Sequence, residues 1–292
     1  MRITDVTLVC LQRSGRAVGR EEAGLWRGLL QDIGADNVEN LPAPGVYTPV
    51  YCKSASDCGT EILAGLHARS GLPLRIFGLD NALLREDYRA FQAHLRESGL
   101  PLEPAFGNDF GCATALGLTW LSEGGETLVC SFAGIGNLAP LEEILAALHL
   151  SGVKKYPGLS LLPRARDLFT RLGGAECVSA DGTKAVIGTL LFTVESGVHV
   201  DGLLKDPSLY EPFAPELVGA RRRIVLGAHS GRGSVRLRCS LSGLPCAEGQ
   251  DAELAEAVRA LGRERGRCLR EDEFLALYDR VCRRSYAAAV GG

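Results

Sequence analysis

The sequence has no large excess of charge, no closely spaced cysteine pair and no long apolar run, and each absence removes a class of protein. Lys and Arg number 32 against 35 Asp and Glu, a net charge of −3, which gives no electrostatic reason to expect nucleic acid or an anionic membrane as partner. The triplet Arg221-Arg222-Arg223 is the main basic cluster, readable as a solvated surface stretch or as a phosphate site. No apolar stretch approaches a membrane span, and no charged-then-apolar leader segment is visible. Ten cysteines are present, but none has the C-x-x-C spacing of zinc sites and redox dithiols; the closest, Cys52 and Cys58, stand six positions apart. Scattered cysteines are expected as free thiols acting as small apolar residues in a reducing cytosol. The expected protein is soluble and cytoplasmic.

What is there is an ordinary globular composition, 46% hydrophobic and 23% charged over 292 residues, enough for one large α/β domain with an appendage. Val6 to Cys10 reads as a strand, and Glu21 to Ile33 as a helix with Leu25, Trp26, Leu29 and Leu30 on one face. Helices are expected over Thr60–Ala68, Leu84–Glu97, Ala113–Leu121 and Leu141–Leu148, with strands at Leu74–Phe77 and Thr127–Cys130. Such alternation means a parallel sheet flanked by helices. About five β/α units precede residue 150, where a complete (β/α)₈ barrel needs eight, so the sheet is a shortened barrel or an open one. Pro157 to Arg171 reads as a helical connector. Lys184 to Ser240 is rich in glycine, proline and turn residues, and Asp251 to Arg284 returns to amphipathic helix. The change of texture places a domain boundary near 155, dividing the chain into 1–155 and 156–292.

The densest polar motifs lie in the second part. Glu195-Ser196-Gly197-Val198-His199-Val200-Asp201-Gly202-Leu203-Leu204-Lys205-Asp206-Pro207 continues through Tyr210-Glu211-Pro212-Phe213 to Ile224-Val225-Leu226-Gly227-Ala228-His229-Ser230-Gly231-Arg232. This run resembles the segment after the barrel in the homocitrate synthase and isopropylmalate synthase family, over close to forty residues. Lys184 to Phe192, Leu162 to Arg166 and the C-terminal helices also resemble it. The implied fold is a TIM-type (β/α) barrel, here shortened or degenerate, followed by an α+β or helical lid region.

The first part departs from the family where the chemistry sits. The family's opening Asp-Thr-Thr-Leu-Arg-Asp-Gly-Glu, with a catalytic arginine and a metal-binding second aspartate, corresponds to Asp5-Val6-Thr7-Leu8-Val9-Cys10-Leu11-Gln12. Its His-x-His-Asn-Asp ligand motif corresponds to Ala105-Phe106-Gly107-Asn108-Asp109, and its Gly-x-Gly-Glu-Arg-x-Gly-Asn loop to the shorter Gly134-Ile135-Gly136-Asn137. The family's metal chelates a 2-oxo acid and polarises its carbonyl. Mg²⁺, Mn²⁺ or Zn²⁺ needs carboxylate and imidazole ligands, which alanine and glycine lack. The resemblance therefore implies no metal on this chain alone, and a divalent metal in a partner.

The lid motif is kept. In the family its histidine and tyrosine reach across a dimer to assist proton removal from the acetyl methyl group or to orient the thioester; they correspond to His199 and Tyr210. A side chain titrating near neutrality suits that task. Glu195, Ser196 and Arg232 are the expected substrate-binding residues. Gly227 to Gly233 reads as a phosphate-cradling loop or a tight turn fixing the lid, and the family's usual lysine is replaced by Ala228. Split homocitrate synthases of this family pair a catalytic alpha-type chain with an omega-type chain, and this sequence resembles the latter. The implied reaction condenses acetyl-CoA with 2-oxoglutarate to homocitrate, which serves a nitrogenase cofactor. Two other readings remain: a regulatory or scaffolding paralogue of such a synthase, and a metal-free enzyme using Cys10 or Asp109.

Overall fold

The computed structural model describes residues 1–40, 45–52, 58–79, 88–178, 182–195, 197–247 and 249–283. The chain divides into two compact units, 1–191 and 192–292.

The first unit is α/β, and its strands pair in parallel. Strand β1 (Arg2–Asp5) leads into α1 (Thr7–Arg13) and α2 (Arg20–Ile33), then β2 (Asn37–Val38) and β3 (Thr48–Tyr51). Next come α3 (Thr60–Ser70), β4 (Leu74–Phe77), α4 (Tyr88–Glu97), β5 (Leu102–Pro104), α5 (Ala113–Ser122), β6 (Thr127–Cys130), α6 (Leu141–Leu150) and α7 (Leu162–Phe169). One sheet has the order β2-β1-β6 and another β3-β4-β5. The first strand thus pairs with the last, Ile3 opposite Leu128 and Asp5 opposite Cys130. Pro49 sits in β3, an edge strand, where its missing N–H costs no ladder bond.

Two polar links join the sheets. Thr127 Oγ1 of β6 donates to the Leu102 carbonyl of β5. Arg75 of β4, 2% exposed, donates to Glu39 Oε1 just beyond β2 and to Glu103 Oε2 on β5, both at 2.6 Å. Its guanidinium also lies 3.8 Å above the Tyr47 ring. A buried cation held by two carboxylates avoids the large cost of an unpaired charge.

Several expectations change. Val6 to Cys10 is not a strand: the strand ends at Asp5, and Thr7 to Leu11 are buried residues of α1. A continuous apolar run fits a fully buried helix as well as a buried strand, so periodicity could not separate them. The inward stripe of α2 is Trp26, Leu30 and Ile33, while Leu25 is 59% exposed. Of the helix expected from Leu84, residues 84–87 lie outside the described residues. Cys52 and Cys58 form a disulfide, Cα atoms 6.0 Å apart, instead of two free thiols.

The division falls between Leu191 and Phe192, not near 155. Phe169 of α7 packs on Trp26 of α2 and on Phe132, ring centroids 5.9 and 5.3 Å apart, and Leu159 and Leu162 are buried. This aromatic cluster ties the connector to the first unit.

The second unit contains β7 (Thr193–Val194), α8 (Gly197–Lys205), β8 (Arg223–Ile224), α9 (Arg232–Leu241), α10 (Gln250–Arg265) and α11 (Glu271–Tyr278). β7 and β8 pair in parallel. The core gathers Leu226, Val235, Leu254, Val258, Phe274 and Leu277, and the helical stretch expected from Asp251 breaks at Gly266, which takes φ +63° at the end of α10. No described helix is long and apolar enough to cross a membrane.

Candidate functional site

In the first unit, the ends of the strands carry a closed polar cluster. The Asp5 carboxylate is fully buried and accepts from Thr7 Oγ1 (2.5 Å), Thr7 N–H (3.3 Å) and Trp26 Nε1–H (3.2 Å). Thr7 Oγ1 in turn accepts the Phe132 N–H at 2.7 Å. Burial pushes the Asp5 pKa up to about 7, against the pull of those hydrogen bonds. Glu142, at the start of α6, is also fully buried; its Oε2 accepts the Ala133 N–H at 2.9 Å, and burial lifts its pKa to about 7. The opening motif includes Asp5 without giving it a role, and Glu142 is not among the expected site residues.

The positions that correspond to the family's metal ligands do not fit a metal. Ala105 and Gly107 have no donor atom. Cys10 is buried, and desolvation, then the nearby Asp5 charge, raises its thiol to about 11, the reverse of what a thiolate ligand needs. The same shift disfavours Cys10 as a nucleophile. Asn108 Oδ1 is engaged by the Ala113 N–H at 3.1 Å, and the Asn108 N–H donates to Asn137 O at 3.0 Å. Gly136 packs onto Cys10 so closely that a Cβ there would lie 2.6 Å from the sulfur. The shortened loop occupies the space beside the thiol. Among the described residues no three His, Cys, Asp or Glu side chains gather as a metal site. Asp109 is exposed.

In the second unit the motif residues take definite places. His199 lies in the first turn of α8 and is exposed. Tyr210, 44% exposed, comes directly after the short turn Pro207–Leu209. The two rings meet with centroids 4.8 Å apart at a 48° tilt. Gly202 makes this possible, since a Cβ at 202 would collide with Tyr210 Cε2. Val198 and Leu209 beside them are 74% and 67% exposed. Sequence reasoning found the pair but not the glycine that seats it.

Glu195 is engaged within the chain. Its Oε1 accepts the His229 N–H at 2.9 Å, and Cys268 Sγ approaches Oε2 at 3.5 Å. The carboxylate braces the loop before α9. Ser196 lies outside the described residues. Arg232 is the exposed first residue of α9.

Parallel β/α pairing and an appended helical unit bearing an exposed His–Tyr pair define a class, and the comparisons give it a family. Residues 186–266 match the family profile described as "Homocitrate synthase post-HMGL domain-like". Over 280 residues the chain is 30% identical to "Homocitrate synthase 1" of Nostoc sp. (strain PCC 7120), covering 92% of this chain and 73% of that protein. It is 34% identical over 186 residues to the (R)-citramalate synthase of Methanocaldococcus jannaschii, covering 62% of this chain and 37% of that one. The chain belongs to the homocitrate synthase and isopropylmalate synthase family. It spans about three quarters of the first relative and little more than a third of the second. Among solved structures, the HMG-CoA lyase of Bacillus subtilis aligns with a TM-score of 0.39 and 14% identity over 59% of this chain and 93% of that chain, a likeness too weak to bear on either fold or function.

Proposed function

We propose that this chain is the omega-type, non-metal-binding subunit of a homocitrate synthase, and that it lends lid residues to a catalytic alpha-type partner. The observation that carries the reading is the contrast between the units: a first unit with no donor set at the ligand positions, and a second unit whose His199 and Tyr210 are paired and exposed. The pairing of β1 with both β2 and β6 supports a shortened barrel.

In this reading the partner's barrel would hold the Mg²⁺, Mn²⁺ or Zn²⁺, which would supply the polarisation of the 2-oxoglutarate carbonyl. His199 takes the proton from the acetyl methyl of acetyl-CoA, and Tyr210 orients the thioester against the imidazole. Exposure leaves His199 Nδ1 or Nε2 free to reach a substrate on another subunit. Arg232 supplies an anion contact and Glu195 positions the loop that carries it. The tying of Asn108 to Asn137 and Ala113, and of Gly136 to Cys10, supports a partner, in place of this chain's own ligand positions, as the seat of the condensation.

The test is reconstitution with an alpha-type synthase subunit. His199→Ala should leave the complex assembled and slow condensation by about 10²- to 10⁴-fold, the range for loss of an acid–base group; Tyr210→Phe should be milder. Homocitrate formation by the isolated chain supplied with metal, or a complex indifferent to His199→Ala, would overturn the reading.

A further inference from the structure

The arginine triplet at 221–223 does not act as one patch. Arg222 forks onto Glu211, its Nε and Nη2 standing 2.8 and 2.7 Å from the two carboxylate oxygens. Arg223, in β8, is exposed, and among the described residues its side chain has no hydrogen-bond or ion-pair partner. It lines a groove of about 420 Å³ in the second unit, within the size range of small-molecule sites.

The groove follows the open edge of β8. The N–H groups of Arg223 and Val225 donate to the Phe192 and Val194 carbonyls at 2.9 and 3.0 Å. Backbone groups alternate along a strand, so the N–H of Ile224 between them turns to the opposite side. β7 and β8 form a two-stranded sheet, and no third strand covers that side. There the Leu269 N–H donates to the Leu226 carbonyl at 2.7 Å, which brings residues 269–271 up as the facing wall. Among the described residues no acceptor pairs with the Ile224 N–H, and an unpaired strand edge is a ready donor.

The lining divides into two parts. Its floor is aliphatic, made by Ile224, Leu226, Leu269 and the end of α9, where Leu241 is 64% exposed. Its rim carries Arg222, Arg223, Arg238 and Arg270 against the single carboxylate of Glu271. Glu271 is taken by Arg238. Arg270 makes only longer contacts, 3.3 Å to Asp272 and 3.5 Å to Glu273, and Glu273 is already held by Arg267 at 2.7 Å. Arg223 and Arg270 are therefore the cations left with charge unmatched.

Aliphatic surface gains free energy by leaving water, in proportion to its area. Unmatched guanidinium groups attract carboxylate or phosphate oxygens. A small inorganic ion would leave the floor wet, and a neutral apolar molecule would leave the cations unmet. One molecule with both parts satisfies both demands.

We infer that the groove beside β8 is a binding site for a small amphipathic anion, an organic acid or phosphate with an aliphatic body. The anionic group sits on Arg223, Arg270 and the Ile224 N–H, and the body lies on Leu241 and Leu269. The inference uses neither His199 nor Tyr210 and stands or falls separately from the role proposed for them.

Octanoate is the probe, titrated into the full chain carrying labelled Ile and Leu methyl groups and followed by methyl NMR. Saturable shifts of the Ile224, Leu241 and Leu269 methyls are expected, with affinity falling as salt rises. Acetate, which lacks the body, and octanol, which lacks the charge, should each bind about tenfold more weakly or worse. Octyl phosphate separates the two head groups: tighter binding than octanoate assigns a phosphate, weaker binding a carboxylate. Arg223→Gln should weaken octanoate about tenfold and Leu241→Ser several-fold; both side chains are exposed, so neither change threatens the fold. Shifts that do not saturate, octanol binding as well as octanoate, or an unchanged Kd in Arg223→Gln overturns the inference. So does a blocked acidic peptide, acetyl-Glu-Leu-Glu-amide, that saturates the same methyls where octanoate does not, since the groove would then be a docking edge for a partner's chain.

Discussion

The His199 and Tyr210 rings touch across residue 202, and the contact exists because that residue is glycine. Alanine in the interior of α8 would gain up to about 1 kcal/mol of helix stability. Its methyl group would also occupy the place of Tyr210 Cε2. Gly202→Ala is therefore expected to leave the fold standing while displacing Tyr210, moving the His199 imidazole resonances in the NMR spectrum. Unmoved resonances would show that the glycine does not seat the pair.

The buried carboxyls of Asp5 and Glu142 give stability an unusual slope with pH. Each has its pKa raised to about 7 by burial, against an ordinary value near 4. Between about pH 4 and 7 the folded chain retains protons that the unfolded chain has released. Their contribution is thus fully present below about pH 4, is lost as pH rises to about 7, and is level above that. The loss is of order 3–4 kcal/mol per carboxyl at most. Urea unfolding at pH 5 and pH 7.5 should show lower stability at the higher pH, and Glu142→Gln should remove about half of the difference.

Cys10 should be chemically quiet. Its thiol is buried and raised to about 11, so alkylation by iodoacetamide at pH 7.5 is expected only on unfolding. Cys10→Ser should leave turnover of a reconstituted complex unchanged. Gly136→Ala, by contrast, combines a φ of +75° with a methyl 2.6 Å from that sulfur, and should destabilise the first unit by roughly 1–3 kcal/mol. Rapid labelling of Cys10 in the folded chain would contradict the packing described.

Arg75 should be among the residues on which the first unit most depends. Arg75→Met removes the only charge partner that both Glu39 and Glu103 share among the described residues. Stranding two nearly buried carboxylates should cost about 3–5 kcal/mol, read as a lower urea midpoint at pH 7. Adding Glu39→Gln and Glu103→Gln should restore part of it. A single substitution with no effect would mean that the carboxylates are already solvated.

The strands Leu74–Phe77 and Thr127–Cys130 and the starts of α3, α5 and α6 were legible in the sequence because each is a short periodic run bounded by turn residues. So was the departure from the family's motifs at Cys10, Ala105 and Gly107, which is a matter of residue identity alone. The pairing of His199 with Tyr210 was half legible: the motif named both, while their contact depends on Gly202 and the turn at Pro207. What the sequence could not give was anything set by neighbours distant in the chain. Burial of Thr7 to Leu11 on all sides turned an apparent strand into a helix. The Trp26–Phe132–Phe169 cluster drew the connector into the first unit. The pKa values of Asp5 and Glu142, and the basic groove beside β8, arise from desolvation and the approach of separate elements. Those are properties of packing, and no local pattern encodes them.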